Sequence, residues 1–275
     1  MALLCHTGNM SARDTIFHKW LKIPYLLHVR KVLKVKNAKQ TVVFIHGLGS
    51  TGEMWQPVID GLAKDVSLLS VDLLGFGSSP RPAWETYNVA LQARSLSATL
   101  RRQKLSGPII IVGHSLGALV AIEFAKTYPQ MTKSLVLCSP PVYRPDDDLP
   151  RVSPERLLRR MYRRLLRSPQ VIIRLYNLGK RTRIDPSLMV NSDNIGVFAS
   201  AAEASILNQT AINDIAGLKL PITILHGILD PVVVQSNLIA LAKKMPNVTF
   251  IRVNASHALN RAYVAKINGI LESDI

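Results

Sequence analysis

Six short apolar runs along the chain have the pattern of strands that are buried on both faces. In chain order the runs are TVVFIHG, VSLLSVD, GPIIIVG, SLVLCS, LPITILHG and NVTFIRVN, and segments with the apolar period of helices separate them. Because the apolar residues are continuous rather than alternating, helices are expected to cover the strands on both sides. The pattern therefore predicts an α/β fold with a mostly parallel, doubly wound sheet.

The alternation of strands and helices breaks off between SLVLCS and LPITILHG, where only helical periods continue. We therefore predict that residues 142–214 form a helical insertion. The main domain then consists of residues 24–141 and 215–275, with leading antiparallel strands expected in PYLLHVRKVLKV, from Pro24. Residues 1–23 are predicted to be a separate basic, amphipathic segment.

Two Ser-Pro pairs indicate where helices begin within the insertion. At Ser153-Pro154 and Ser168-Pro169, serine is the expected N-terminal cap and proline the first helical residue. The first helix, PERLLRRMYRRLLR, is predicted to carry its apolar residues mostly on one face and its arginines on the other. Those apolar residues are Leu157, Leu158, Met161, Leu165 and Leu166.

The positive charge of the chain is concentrated in two segments. Of a formal net charge of +16, residues 1–40 carry +7 and residues 144–183 carry +8. Such segments are either solvated helix faces or contacts for an anionic membrane surface or substrate. Residues 11–22, SARDTIFHKWLK, mix apolar and basic residues as interfacial helices do, which supports a peripheral membrane contact. No nucleic-acid-binding motif is recognised, so specific nucleic acid binding is not expected.

The composition disfavours several classes of protein. The uncharged stretch of residues 105–122 contains Pro108 and three glycines, which argues against a membrane span. The start, MALLCHTGNM, lacks the features of a secretory signal, so a cytoplasmic location is expected. Cys5 and Cys138 are far apart in sequence and do not form a disulfide framework.

The motif GHSLG, residues 113–117, places a serine between two glycines at the end of a predicted strand. A serine hydroxyl is a weak nucleophile, so it needs a base, an acid that orients the base, and donors for the oxyanion. The strand before the motif and the helix after it are the context of a nucleophile elbow. Ser115 is therefore the predicted nucleophile, with the amide of Leu116 directed beside it.

An acid and a histidine follow in chain order, each just after a predicted strand. LPITILHGILD ends at Asp230, and NVTFIRVNASH ends at His257. The carboxyl ends of parallel strands share one edge of a sheet, where open α/β folds form their sites. We therefore predict His257 as the base and Asp230 as the acid. Asp72 and the run Asp146–Asp148 remain alternative acids.

With these residues the chain resembles the α/β-hydrolase family from about residue 24 onward. HGLGS at 46–50 is similar to the family's oxyanion loop, and DLLGFGSSP at 72–80 is similar to the turn after its fourth strand. The resemblance implies the α/β-hydrolase fold with a helical cap inserted after the sixth strand. It also implies that the amides of Leu48 and Leu116 form the oxyanion hole, and that no cofactor or metal is required.

Other residues near the motifs are expected to have mainly structural roles. His46, His114 and His226 each accompany a glycine at a strand end, where packing or support of the site is favoured over proton transfer. Met54 and Trp55 either line an acyl pocket or pack in the core, and packing is favoured.

The sequence predicts a serine hydrolase that cleaves small-molecule carboxylic esters, and the leucine-rich insertion favours apolar acyl groups. Relatives that resemble this chain use the same triad as carbon-carbon bond hydrolases, lactonases, thioesterases or perhydrolases, and these alternatives stay open. A non-catalytic module on a membrane surface is an alternative of another class, although binding alone does not require three residues on separate loops. The sequence does not define the oligomeric state.

Overall fold

The computed structural model describes residues 12–63, 65–105, 107–181 and 189–273. The strands of this part of the chain form one sheet in the order β1-β3-β2-β4-β5-β6-β7, with β1 antiparallel to β3 and all other neighbours parallel. The six predicted runs coincide with β2 to β7, so the mostly parallel sheet is confirmed. The strands are β1 Val29–Leu33, β2 Gln40–Ile45, β3 Val66–Val71, β4 Ile109–His114, β5 Thr132–Cys138, β6 Ile222–Gly227 and β7 Val248–Val253.

Helices connect the strands and cover both faces of the sheet. They are α1 Ala12–Asp14, α2 Gln56–Ile59, α3 Val89–Arg102, α4 Leu116–Thr127, α5 Pro154–Leu166, α6 Pro169–Arg181, α7 Ile195–Ala201, α8 Ala211–Gly217, α9 Gln235–Lys244 and α10 Arg261–Ser273. Single turns of π-helix follow α1 at Thr15–Trp20 and α7 at Ala202–Leu207. Within the described residues, no helix is long and apolar enough to cross a membrane.

One antiparallel strand is present where the sequence predicts several. In the stretch before β1, backbone amides are bonded to side chains rather than to a neighbouring strand: Leu27 N donates to Thr99 Oγ1 at 2.9 Å, and His28 N donates to Ser79 Oγ at 2.8 Å. These hydrogen bonds to side chains take the place of the backbone hydrogen bonds that a further strand would make. The helical insertion therefore follows the fifth strand, β5, in the numbering used here.

The core consists of two apolar layers, one on each face of the sheet. Successive residues of β4 alternate between the layers, so that Ile109 and Ile111 lie in one, and Ile110 and Val112 lie in the other. The first layer includes apolar residues of α3, α4 and α9, and the second includes those of α2 and α10. This two-sided burial explains why the strands are continuously apolar.

Helices α5 to α8 lie between β5 and β6, in the region of the predicted insertion. As predicted, α5 begins at Pro154 and α6 at Pro169, and the Ser153 hydroxyl caps α5 by accepting a hydrogen bond from Arg156 N at 3.2 Å. Helix α8 packs on α4, where Lys126 Nζ lies 3.1 Å from Asp214 Oδ1. The predicted boundary at residue 214 therefore falls within α8.

The apolar face of α5 is only partly buried. Leu157 is 68% exposed and Met161 is 53% exposed, whereas the other three leucines of the helix are half-buried. Arg160 and Arg164 are exposed beside them. The apolar and basic residues lie on different faces as predicted, but one edge of the apolar face is exposed next to arginines.

A buried arginine lies on the inner side of α5. Arg159 donates hydrogen bonds to the carbonyl oxygens of Arg144 at 2.8 Å and Leu207 at 2.9 Å. It also forms an ion pair with Asp146 at 2.8 Å. Its guanidinium thus satisfies backbone acceptors from both ends of the insertion, which an apolar residue at this position would leave unpaired.

Candidate active site

Ser115 lies at the sharp turn between β4 and α4. Its φ of 52° and ψ of −116° are values that residues other than glycine rarely adopt. The Ser115 amide donates a hydrogen bond to the carbonyl oxygen of Cys138 on β5 at 2.9 Å, which ties the turn to the sheet. The turn therefore holds the serine side chain at the carboxyl edge of the parallel strands.

The two glycines of the motif are needed because backbone segments approach closely there. A Cβ on Gly113 would overlap the carbonyl oxygen of Gly117. A Cβ on Gly117 would overlap the carbonyl oxygen of Ile45 on β2. Any larger residue at either position would move α4 away from the sheet and displace Ser115.

The structure brings Ser115, His257 and Asp230 together in one line of hydrogen bonds. His257 Nε2 lies 3.0 Å from Ser115 Oγ, and His257 Nδ1 lies 2.8 Å from Asp230 Oδ2. Asp230 follows β6 and His257 follows β7, at the same edge of the sheet as Ser115. This arrangement allows His257 to accept the serine proton while the carboxylate stabilises the resulting imidazolium.

The Asp230 carboxylate is fully buried and is held by several donors. Its Oδ1 accepts hydrogen bonds from the amides of Val232 at 2.8 Å and Val233 at 3.3 Å. Burial acts to raise the pKa of Asp230, but hydrogen bonds from His257, Ser139 and Val232 outweigh this effect and lower the pKa below its ordinary value. Asp230 is therefore ionised at neutral pH.

Ser139 is a supporting residue that the sequence analysis did not identify. It follows β5 with a positive φ of 47°, its amide donates to Leu225 O at 2.8 Å, and its hydroxyl contacts Asp230. The same hydroxyl lies 2.7 Å from the buried hydroxyl of Tyr263. A serine after a strand is too common for the sequence to have indicated this contact.

Leu48 and Leu116 both lie close to the candidate nucleophile. Leu116 begins α4 directly after the serine, and Leu48 lines the cavity into which Ser115 opens. Neither amide donates a hydrogen bond to another described residue. Their role as oxyanion donors, which the resemblance implies, stays a prediction.

His46 fixes the loop that carries Leu48. Its Nε2 accepts a hydrogen bond from the Leu73 amide at 2.8 Å, so Nδ1 bears the proton and donates to Gly47 O at 2.7 Å. Complete burial lowers the pKa of His46 to about 4, so the ring is neutral at pH 7. Its contacts are those of a structural residue, as the sequence analysis favours.

The remaining residues of uncertain role also have structural contacts. His114 Nε2 donates to the carbonyl oxygen of His257 at 2.8 Å, which supports the candidate base. His226 is buried, and this burial lowers its pKa. Trp55 is buried beside Phe44, with ring centroids 5.4 Å apart, and Met54 packs in the same layer, so neither lines the cavity next to Ser115.

A cavity of about 260 Å³ lies between the sheet and the inserted helices, with Ser115 and His257 in its wall. Tyr162 contributes a hydroxyl group, and burial, together with the charge of Asp230, raises its pKa to about 12, so that it stays neutral. The remaining lining from the insertion is apolar. These apolar residues include Leu165, Leu166, Ile172, Phe198, Ile206 and Leu207.

The alternative acids have other partners. Asp72 is buried, and its two oxygens share the single N–H of Arg30 Nε at 2.8 and 2.9 Å and accept amide hydrogen bonds from Gly52 and Ser78 at 2.9 Å each. Asp146 forms ion pairs with arginines of α5. Within the described residues, no group of three or more His, Cys, Asp or Glu side chains is arranged to hold a metal ion.

We expect Asp72→Asn to lower the free energy of unfolding at pH 7 by about 3 kcal/mol, because it leaves Arg30 without its buried partner. Burial acts to raise the pKa of Asp72, but the bonds from Arg30 and the two amides lower it below 3.8. The stabilisation is therefore complete above pH 3.8, the ordinary pKa of the carboxyl group. It is lost as the pH falls through the lower pKa that Asp72 has in the folded protein. Chemical denaturation should show a smaller difference in the free energy of unfolding between the variant and the wild type at pH 3 than at pH 7.

The exposed pair between Lys39 and Asp65, 3.2 Å apart, supplies the matched control. Asp65→Asn is expected to change the free energy of unfolding by less than about 1 kcal/mol. If both variants lose the same stability, the buried pair has no special role in holding the turn after β3.

Comparisons with known proteins agree with this fold. A family model described as alpha/beta hydrolase fold matches residues 40–260. The probable lysophospholipase BODYGUARD 3 of Arabidopsis thaliana is 34% identical over 110 residues, which are 38% of this chain and 22% of that protein. The chain thus spans less than a quarter of the length of this curated relative.

Solved structures show the same fold at lower identity. An esterase from Thermogutta terrifontis has a TM-score of 0.67 and 22% identity, covering 86% of this chain and 90% of its own. An enol-lactonase from Burkholderia xenovorans has a TM-score of 0.67 and 19% identity, covering 90% of this chain and 95% of its own.

Proposed function

Because the chain belongs to the alpha/beta hydrolase family, we propose that it is a serine hydrolase that cleaves carboxylic esters with apolar acyl groups. The observation that carries this proposal is the line of hydrogen bonds from Ser115 through His257 to Asp230 at the wall of an apolar cavity. Relatives named as esterase and lysophospholipase are consistent with ester substrates.

In the proposed acylation step, His257 Nε2 takes the proton from Ser115 Oγ as that oxygen bonds to the ester carbonyl carbon. The carbonyl oxygen becomes an oxyanion, which accepts hydrogen bonds from the amides of Leu48 and Leu116. When the tetrahedral intermediate collapses, the bond to the alcohol breaks and His257 gives its proton to the leaving oxygen. The product is an acyl group on Ser115 and a free alcohol.

The proposed deacylation step repeats this chemistry with water. His257 Nε2 accepts a proton from water as the water oxygen attacks the acyl carbon, and the same two amides bind the oxyanion. Collapse releases the acid and returns the proton to Ser115 Oγ. Asp230 remains ionised and keeps the Nδ1 proton of His257 in place throughout.

We further propose that the helices of residues 142–214 act as a cap that selects the acyl group. They supply most of the apolar wall opposite Ser115, whereas the charged side chains of α5 lie outside the cavity. An apolar acyl chain would thus replace water along this wall, which is favourable in proportion to the area buried.

Turnover of p-nitrophenyl esters from acetate to dodecanoate by the wild-type chain tests the proposal. We expect turnover that rises with acyl length until the cavity is filled and then falls. If no ester is hydrolysed by folded protein, the ester proposal is wrong, and turnover of thioesters, lactones or carbon-carbon substrates would identify the related chemistry. Failure of all four classes would favour the non-catalytic alternative.

We expect Ala202→Leu to shorten the preferred acyl chain. Ala202 is 5% exposed and lines the cavity, so three added carbon atoms occupy space that a long acyl chain would use. The ratio of kcat/KM for octanoate to that for acetate should fall about ten-fold or more, because one methylene group in an apolar pocket changes specificity by at least that factor.

Ala204→Leu is the matched control for this change. Ala204 belongs to the same π-helical turn but does not line the cavity. Its octanoate to acetate ratio should stay within about two-fold of the wild-type ratio, since substitutions away from a site usually have small effects. Equal effects of the two variants would contradict acyl binding at this wall.

A further inference from the structure

The described N-terminal segment, residues 12–23, turns large apolar side chains outward. Trp20 is 70% exposed and Leu21 is 60% exposed, with Lys19 and Lys22 exposed next to them. Isolated exposed apolar residues are normal, whereas a contiguous group of them indicates an interaction surface. The other exposed apolar residues of this segment are Ile16, Phe17 and Ile23.

Contacts on the inner side of this segment hold it against the main domain. The ring of His18 stacks on that of Tyr25 with centroids 4.0 Å apart. The Tyr25 hydroxyl accepts a hydrogen bond from Trp84 Nε1 at 3.0 Å, and Lys19 Nζ lies 5.8 Å from the centre of the Trp84 ring. Trp20 and Leu21 are thus presented to solvent by a segment with defined contacts.

The topology places this segment at the same end of the molecule as Ser115. Strand β1 is antiparallel, and its first residue, Val29, is paired with Val71, the last residue of β3. The chain before β1 therefore lies at the carboxyl edge of the parallel strands. The loop that carries Trp84 also contacts the insertion, because Ser200 Oγ donates to Thr86 O at 3.2 Å.

The outward faces of α5 and α6 have the same chemistry. On α5, Leu157 and Met161 are exposed next to Arg160 and Arg164. On α6, the exposed residues are again both apolar and basic: Val171 and Leu175 lie one helical turn apart, with Arg174 next to them. The opposite faces of both helices pack on each other or line the cavity.

We propose that these faces of the N-terminal segment, α5 and α6 form one docking surface for an anionic lipid bilayer. Its arginines and lysines complement lipid phosphates and carboxylates, and its tryptophan, leucines and methionine can enter the headgroup region. This docking surface borders the helices that line the cavity, so docking would bring lipid to the cap of the candidate active site. The docking itself does not rest on catalysis by Ser115.

An anionic lipid bilayer fits this surface better than nucleic acid or a second copy of the chain does. Nucleic acid would attract the basic groups, but its phosphate backbone provides no apolar surface against which Trp20, Leu21 and Leu157 could be buried. Two copies facing each other through this surface would bring their arginines together, which is unfavourable. A bilayer with anionic headgroups provides a partner for both kinds of side chain.

Sedimentation with vesicles tests the charge of the docking surface. The full chain carrying Ser115→Ala, which prevents turnover of lipid during the assay, is mixed with vesicles of phosphatidylcholine alone or with one-fifth phosphatidylserine. We expect binding to the mixed vesicles that weakens with salt. The double change Arg160→Gln and Arg164→Gln should weaken it about twenty-five-fold, since each basic residue near an anionic surface contributes about five-fold.

The matched control is Lys243→Gln with Lys244→Gln. These exposed lysines end α9, which runs from the end of β6 back toward the start of β7, so they lie at the opposite edge of the sheet. The control removes the same charge and should change vesicle binding less than about three-fold. Equal weakening by the two double changes would overturn the docking surface, because only total charge would then matter.

The apolar part of the docking surface has its own test. The chain has three tryptophans, of which Trp55 is fully buried, so insertion of Trp20 into the bilayer should shift the fluorescence emission to the blue. Trp20→Ser should remove this shift and weaken binding to mixed vesicles at least about five-fold. A wild-type chain that binds duplex DNA as tightly as mixed vesicles, with no effect of Trp20→Ser on either, would overturn the lipid proposal.

Discussion

Replacing Ser115 by alanine is expected to lower kcat/KM for the best p-nitrophenyl ester by at least about a thousand-fold. The change removes the oxygen that would form the proposed acyl-enzyme, while the amides of Leu48 and Leu116 and the cavity stay in place. Residual turnover would come from water activated by His257. Steady-state assays with active-site titration of the wild type measure the effect, because an acyl-enzyme gives a burst of p-nitrophenol.

Ser134→Ala provides the control for this variant. Ser134 is a buried serine on β5 that lies outside the site. Its activity should remain within about two-fold of wild type, because its substitution affects packing rather than the reacting atoms. If folded Ser115→Ala keeps more than a tenth of wild-type activity, Ser115 is not the nucleophile.

Asp230→Asn is expected to lower kcat by about ten-thousand-fold with little change in KM. The two amides that donate to Oδ1 would keep the asparagine oxygen at that position. The asparagine NH₂ group would then face Nδ1 of His257, which would have to accept a hydrogen bond. The proton would move to Nε2, so the imidazole could no longer accept the proton of Ser115.

Two further variants distinguish this explanation from a general loss of charge. Asp146→Asn changes an alternative acid of the sequence analysis and should leave kcat within about two-fold of wild type, because Asp146 pairs with Arg159 and Arg163. Thermal unfolding of Asp230→Asn checks that the fold is retained. A loss of less than ten-fold in folded Asp230→Asn would mean that Asp230 does not set the tautomer of His257.

The elements that the sequence predicts well are those determined by local pattern. The strands β2 to β7 are continuous apolar runs, and the turn at Ser115 is marked by glycines that no other residue could replace. The closeness of Ser115, Asp230 and His257 could be expected because each follows a strand of a parallel sheet. Periodicity and strand topology together therefore account for most of the candidate site.

Features that depend on contacts between distant segments could not be predicted. Ser139 contacts Asp230, 91 positions further along the chain, only because β5 and β6 are neighbours in the sheet. Arg159 is buried because backbone carbonyls from both ends of the insertion converge on it. In the stretch before β1, side-chain acceptors replace a strand partner. None of these contacts leaves a pattern in the local sequence.

The positive φ of Ser115 means that the residue best suited to the backbone conformation at this turn is not the residue proposed as the nucleophile. Glycine adopts this conformation without the steric cost of a Cβ, which for other residues is of order 1 kcal/mol or more. A search for stabilising substitutions would therefore favour glycine at position 115 and would remove the candidate nucleophile. Engineering of this chain for higher thermal stability should keep Ser115 and place stabilising substitutions at positions remote from the turn.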